Sequence, residues 1–391
     1  MLLARGALGG GLHDHVRDVD YRSFYTAGYM VLHGGRSELE TLDGQFAWQS
    51  RLWPEITSER DLMPIMNPPF FAAANAPFAA LDVGPAYAAW TLVLALVLAL
   101  VVALLQDALP DARAQRLLVT AGFAFPPVII ALMQGQPSFV IALAFILGWR
   151  ELKAERPVSA GLALSLLALK PHLVFVPALV LALKRKGRAL AGMAAGGALL
   201  ALVSVALVGV QGARDYVHLL GTAMANQSVD VFRPERTQTL RGFLCALAGT
   251  KDPAKVALPW LVGSALAGVA LLASVARTPD TKAARFDVEW ALAIVVALFV
   301  APHLHAHDVS VLLVPAVLVL RAQALEPDLL AARAWLLVPA GWLAVWVHTG
   351  LVVALRPDFP ALIVPVEAAA IVALALSSLE TKRDPGGGLD H

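Results

Sequence analysis

The stretch "RDVDYRSFYTAG", Arg17 to Gly28, combines carboxylates with an aromatic series. Asp18 and Asp20 stand two apart, followed by Tyr21, Phe24 and Tyr25 and then the small Ala27 and Gly28. A helix opening near Asp20 would set its carboxylate in the first turn and align the three aromatics on one apolar stripe. Such a carboxylate can be a general base at a water-facing rim, or it can cap the helix by accepting free backbone N–H groups.

Lys170, in "LALKPHLVF", is the second candidate. A charged lysine at the centre of a membrane helix costs about 2.5–3.5 kcal/mol on insertion scales, so it needs a partner, a polar cavity or a route to the interface. With His172 close by, it would suit an anionic group such as a lipid phosphate. The run "APHLHAHDVSVLLVP" holds His303, His305, His307 and Asp308. Three histidines and a carboxylate admit a metal site. They equally admit hydroxyl and phosphate contacts in a wet cavity, and no metal is expected here. Arg233, Arg236 and Arg241 follow in "NQSVDVFRPERTQTLRGFL", where a guanidinium would match a phosphate or sugar. The sequon Asn226-Gln227-Ser228 in that stretch carries weight only where the chain is glycosylated. Gln134 and Gln136 flank Gly135, as amides for sugar hydroxyls or as helix caps. No Walker loop, Rossmann fingerprint or zinc-protease motif is present, and no cofactor is expected.

The elements that must position these groups belong to a membrane. The 391 residues are 58% hydrophobic and 15% charged, where a soluble domain has about 45–50% and 25%. The expected fold class is therefore all-α, a polytopic integral membrane protein. A net charge of +1 makes no case for nucleic acid, and the lone Cys245 excludes an internal disulfide framework. Residues 1–63 are polar, with short helices around 22–33 and 43–53 and no cleavable leader. "NPPFFAAANAPFAAL", Asn67 to Leu81, is apolar but short and broken by prolines, which predicts an interfacial or re-entrant helix. Spans are expected near 86–106, 117–134, 137–150, 189–211, 258–276, 288–302, 309–321, 335–355 and 361–379. This divides the chain into an outer segment (1–84), a bundle of about eleven helices (85–380) and a disordered cytoplasmic tail (381–391).

The run 158–184 is too long for one comfortable span and carries Lys170-Pro171-His172 in its middle. Read as a hairpin turning there, it leaves Arg113 and Arg116, Arg150 to Arg156, "KRKGR" at 184–188, Arg277 to Arg285, Arg321, Arg333, Lys382 and Arg383 on one side. That side is the cytoplasm by the positive-inside rule. The amino-terminal segment, the Gln134–Gln136 turn, the loop 212–257 and "PHLHAHD" then share the other side. A single long span would instead strand Lys170 at mid-membrane.

Taken together, these residues resemble glycosyltransferase family 87, integral membrane enzymes of the GT-C fold. The resemblance rests on "DYRSFYTAGYMVLHGG", "NPPFFAAANAPFAAL", "GQPSFVIALAFILGW", "GLALSLLALKPHLVFVPALVLALKRK", "QTLRGFL" and "PHLHAHDVSVLLVPA", and covers most of residues 18–322. It implies a GT-C-type multi-helix bundle that moves a sugar, usually mannose, from a polyprenol-phosphate donor to a lipid or glycan acceptor outside a bacterial cytoplasmic membrane. It implies Asp20 as the catalytic aspartate, Lys170 as the lysine of a "KP" motif, and His307-Asp308 as a polar "HD" pair. On this reading Lys170, His172, Arg241 and His307 bind the donor phosphate. Gln134, Gln136, His303, His305 and Asp308 contact sugar or acceptor. Family members carry a transmembrane helix ahead of the aspartate, and none precedes Asp20 as written. The expectation is an upstream start or a shortened member. The rival readings are a transporter or flippase for a lipid-linked sugar, and a catalytically degenerate scaffold.

Overall fold

The computed structural model describes residues 12–223, 233–275, 280–355 and 359–380. The sequon at 226–228, Arg277 and the tail 381–391 lie outside the described residues, as do residues 1–11. Among the described residues there are helices and no strands.

The amino-terminal part is built from α1 (Leu12–Arg17), α2 (Tyr21–Leu32), α3 (Leu42–Leu52) and α4 (Pro69–Ala79). The bundle follows with α5 (Val83–Ala108), α6 (Ala112–Phe123), α7 (Pro126–Gln134), α8 (Ser138–Lys153), α9 (Pro157–Leu164), α10 (Phe175–Leu183) and α11 (Gly187–Ala223). It closes with α12 (Leu240–Leu247), α13 (Ala257–Ser274), α14 (Ala284–Val300), α15 (Leu313–Leu325), α16 (Leu337–Ala354) and α17 (Ile363–Glu380). Five helical stretches are long and apolar enough to cross a membrane, six if the bent pair α6–α7 is one span. The chain is thus an all-α, multi-pass membrane protein.

The α6–α7 pair departs from the single span expected at 117–134. Pro126 and Pro127 open α7 and have no N–H to continue the ladder of α6, so the axis bends by 50°. The run 157–183 breaks where Pro171 disfavours helix at the residue before it: Lys170 has φ −132° and ψ 84°. Turns of 3₁₀ helix flank the break at Ser165–Leu169 and Pro171–Leu173.

The ion pairs show where the two limbs point. Lys153, just before the first limb, sits 2.6 Å from Asp287, and Lys184, just after the second, sits 2.6 Å from Glu289. Both acids belong to the first turns of α14. Lys170, between the limbs, meets Asp308 beyond the other end of α14. The chain therefore rises to Lys170 and returns, as a hairpin. Its first limb lies tightly on α11: a Cβ added to Gly161 would stand 2.0 Å from the Ala189 carbonyl oxygen, which is the close approach that small residues permit between membrane helices.

α14 is the axis of the bundle, buried along almost its whole length. Its two carboxylates are offset by Lys153 and Arg321 on Asp287, and by Lys184 and Arg285 on Glu289. This forms a basic end of the molecule. α11 runs further than the span expected at 189–211. It breaks at Gly209 (φ 75°) and continues to Ala223, so residues 212–223 are helix where a loop was expected. Leu207 and Val208 at that break pack on Met30, Ile65 and Ala72, tying the bundle to the amino-terminal helices.

Candidate active site

At the end opposite the basic cluster, α2 opens at Asp20. Tyr21, Phe24 and Tyr25 are all buried, but so are Arg22, Ser23 and Thr26, so the helix is covered on more than the aromatic face. Phe24 meets Phe71 of α4 edge to face, with centroids 5.0 Å apart. Gly28 lets the two helices close, because a Cβ there would stand 2.6 Å from the Asn75 carbonyl oxygen. The Asp20 side chain makes no capping bond to its own helix. Its Oδ2 accepts from Gln136 Nε2 at 2.7 Å, and its backbone N–H donates to Gln134 Oε1 at 2.9 Å. The two glutamines hold Asp20 from both sides, one by its carboxylate and one by its backbone.

Gly135 makes that arrangement possible. It ends α7 in the left-handed region, with φ 70°, and a Cβ there would stand 2.9 Å from Tyr21 Cβ. Trp90 Nε1 donates to its carbonyl at 2.7 Å. The turn is thus fixed on one side by α5 and on the other by the aromatic stripe behind Asp20.

Asp308 organises the facing wall. It is buried, its side chain only 2% exposed, and its two oxygens gather four donor groups. Ser138 Oγ donates to Oδ1 at 2.9 Å; Lys170 Nζ (2.5 Å) and the His305 backbone N–H (3.0 Å) donate to Oδ2. His307 Nε2 stands 3.3 Å from the same oxygen. The other ring nitrogen of His307 lies 3.9 Å from Asp20 Oδ2, so this imidazole bridges the two carboxylates. Hydrogen bonds from Gln238 N–H to the Leu304 carbonyl (2.8 Å) and from Arg241 to the Pro302 carbonyl tie down the histidine loop.

These walls enclose a cavity of about 160 Å³. Asp20, Gln136, Lys170, His172, His303, His305 and His307 line it. Gln134, Arg241 and Asp308 do not. Gln134 holds the Asp20 backbone, Arg241 holds the histidine loop with its guanidinium 5.5 Å from the Trp260 ring, and Asp308 lies behind Lys170. Sequence reading overlooked Ser23, the Met63–Asn67 segment and Leu220, which also line the cavity. The pattern carried one faint signal for that segment, the paired polar Gln45 and Gln49. Both are fully buried, and their amides clasp the backbone of Met63 and Ile65.

Asp18 takes no part. It lies exposed beside Arg17, which donates to it twice at 3.0 Å, and that guanidinium holds its carboxyl below the ordinary range. His303 and His305, in the loop ahead of the last site helix, lose basicity chiefly through burial. His303 falls well below the usual imidazole value and His305 to about 4. Near neutral pH these two rings are neutral hydrogen-bonding groups. The rings of His303 and His305 meet edge to face at 4.4 Å. Among the described residues no group of three or more His, Cys, Asp or Glu is arranged to hold a metal ion.

The arrangement can do one kind of chemistry readily. A reachable carboxylate, its side chain 25% exposed, shares a cavity with a lysine and four imidazoles. It can accept a proton while an anion is held opposite. A family model for glycosyltransferase family 87 matches residues 66–315. The match takes in the Gln134–Gln136 turn, the Lys170 hairpin, Arg241 and the histidine loop, and begins downstream of Asp20. No curated protein and no solved structure matches the chain.

Proposed function

The chain belongs to glycosyltransferase family 87, a membrane glycosyltransferase, and on that premise we propose that it transfers mannose from a polyprenol-phosphate donor with Asp20 as its single base. The observation that carries the reading is the pairing, across one cavity, of an Asp20 carboxylate that caps nothing with the Lys170 cation.

An acceptor hydroxyl enters beside Asp20. Its oxygen attacks the anomeric carbon as its proton passes to the carboxylate. The bond from that carbon to the phosphate oxygen breaks, and the electron pair leaves with the phosphate. A phosphate ester is already a weakly basic leaving group, so it needs a cation rather than a proton donor. Lys170 supplies that charge, with His172 and His307 as further donors. One carboxylate and one displacement invert the anomeric centre, unlike the carboxylate pair of a glycosidase. On this reading Gln136, His303 and His305, which line the cavity, meet sugar or acceptor hydroxyls. The cavity is small, which fits a sugar phosphate head whose lipid chain stays in the bilayer.

The lysines and arginines gathered at the far end support a cytoplasmic position for that end, and hence an extracytoplasmic site in a bacterial inner membrane. The partners on this reading are the bilayer, the lipid-linked donor and a lipid or glycan acceptor. The test is to incubate membranes carrying the protein with radiolabelled polyprenol-phosphate mannose and extracted lipids. Label should move to a new lipid or glycan product. Transfer from a nucleotide sugar alone, with none from the polyprenol phosphate, would overturn the donor assignment.

A further inference from the structure

A second cavity, of about 380 Å³, opens at the side of the bundle among α6, α15, α16 and α17. Leu117, Phe125, Leu313, Val338 and Trp342 are typical of its walls. One lining residue is ionisable: Glu367, on α17, 4% exposed. Its Oε2 is buried with no hydrogen-bond partner. Eleven residues separate it from Ser378, whose carbonyl accepts from Arg285 at the basic end, so Glu367 stands about 16 Å from that end along its helix. The cavity also takes in Val295, from the middle of α14. It shares no lining residue with the Asp20 cavity and is separate from it.

An acidic side chain held in hydrocarbon is costly and marks function more often than packing. The two carboxylates of α14 each have two basic side chains on them, whereas the buried Glu40 of the amino-terminal part has unpartnered oxygens. Glu367 has no such basic pair, and no Lys, Arg or His lines its cavity among the described residues. An anionic headgroup would meet the carboxyl with no cation to offset it, which excludes a phosphate-bearing lipid. The walls are apolar and offer a single polar contact. A complementary guest is then an apolar body with one neutral hydrogen-bonding group.

We propose that this cavity binds a neutral lipid alcohol, its hydroxyl paired with the Glu367 carboxyl and its chain among the α6, α15 and α16 side chains. The volume lies at the lower end of the range of ordinary small-ligand pockets. The site is distinct from the donor site, and its occupant is not consumed in the transfer.

The test measures binding rather than turnover, so its outcome is independent of the sugar-transfer reading. Purified full-length protein in nanodiscs would be titrated with tritiated tetradecan-1-ol, with unlabelled tetradecane and myristate as competitors. The expected result is one saturable site per chain, displaced by unlabelled alcohol but at least tenfold less well by the alkane or the fatty acid. Glu367→Leu should weaken binding at least tenfold, while Glu367→Gln, which keeps a neutral hydrogen-bonding group, should stay within a few-fold. Equal competition by tetradecane, or unchanged binding in Glu367→Leu, would overturn the proposal. So would preferred binding of myristate.

Discussion

The Lys170–Asp308 pair should respond unequally to loss of its two members. Asp308 accepts from Lys170, Ser138 and the His305 backbone, with His307 Nε2 at 3.3 Å, and is almost completely buried. Replacing it by alanine strands a lysine and three further polar groups in a low-dielectric wall. Breaking a buried pair from one side costs about 3–5 kcal/mol. Asp308→Ala strands three further polar groups as well as the lysine, which puts the expected loss towards the upper bound, about 4–5 kcal/mol. Lys170→Met leaves the buried Asp308 carboxylate without its cation but with its three other donors in place, so its cost should lie near the lower bound, about 3 kcal/mol. Activity should run the other way for properly folded protein: Lys170→Met removes the charge opposite the donor phosphate directly. Thermal unfolding in detergent, followed by tryptophan fluorescence, gives the stability order, and donor turnover in the same preparations gives the activity order. If Lys170→Met destabilised the protein as much as Asp308→Ala, the placing of Asp308 as the organiser of this wall would be refuted.

Three further outcomes follow from the geometry. Gln136→Leu should lower turnover about tenfold with little change in unfolding temperature, because one hydrogen bond of about 1 kcal/mol that aims the Asp20 carboxylate is lost; steady-state kinetics of the purified variant checks this. The depressed basicity of His305 means that the unfolded chain binds more protons than the folded one below about pH 6.5. The stability contributed by the neutral ring should therefore be whole above that pH and be lost as pH falls towards about 4, and His305→Gln should flatten that slope in unfolding curves. Cysteines introduced at 186 and at 303, in a Cys245→Ala background, should be labelled by a membrane-impermeant reagent from opposite sides, with 303 reached from outside.

Much of the positioning framework was legible because it depends on local chemistry. The proline after Lys170 and the cost of burying that lysine together indicated the turn that breaks the run there. The aromatic stripe behind Asp20 follows from helical periodicity alone. Other features depend on contacts that no local pattern encodes. Asp20 looked as much like a helix cap as a base until Gln136, 116 positions away, took its carboxylate. Arg241 carries a guanidinium suited to phosphate, yet a backbone carbonyl 61 residues away holds it. Asp308 was expected to touch sugar, and long-range donors draw it behind the cavity wall instead. The bend at Pro126-Pro127 could have been read from the sequence, since two consecutive prolines cannot continue a helix. The helix beyond Gly209 could not, because its polar residues look like loop until the amino-terminal helices cover one side.

The claim that most needs a direct measurement is that Asp20, and not Asp18, accepts the acceptor's proton. Asp20→Asn keeps the shape of the side chain and a partner for Gln136 while removing the base. Single-turnover transfer from labelled donor, measured on protein with unchanged thermal unfolding, should fall by about 10²–10⁴ in Asp20→Asn and stay within a few-fold of the parent in Asp18→Asn. Turnover within a few-fold of the parent in Asp20→Asn would contradict the account and withdraw Asp20 as the base.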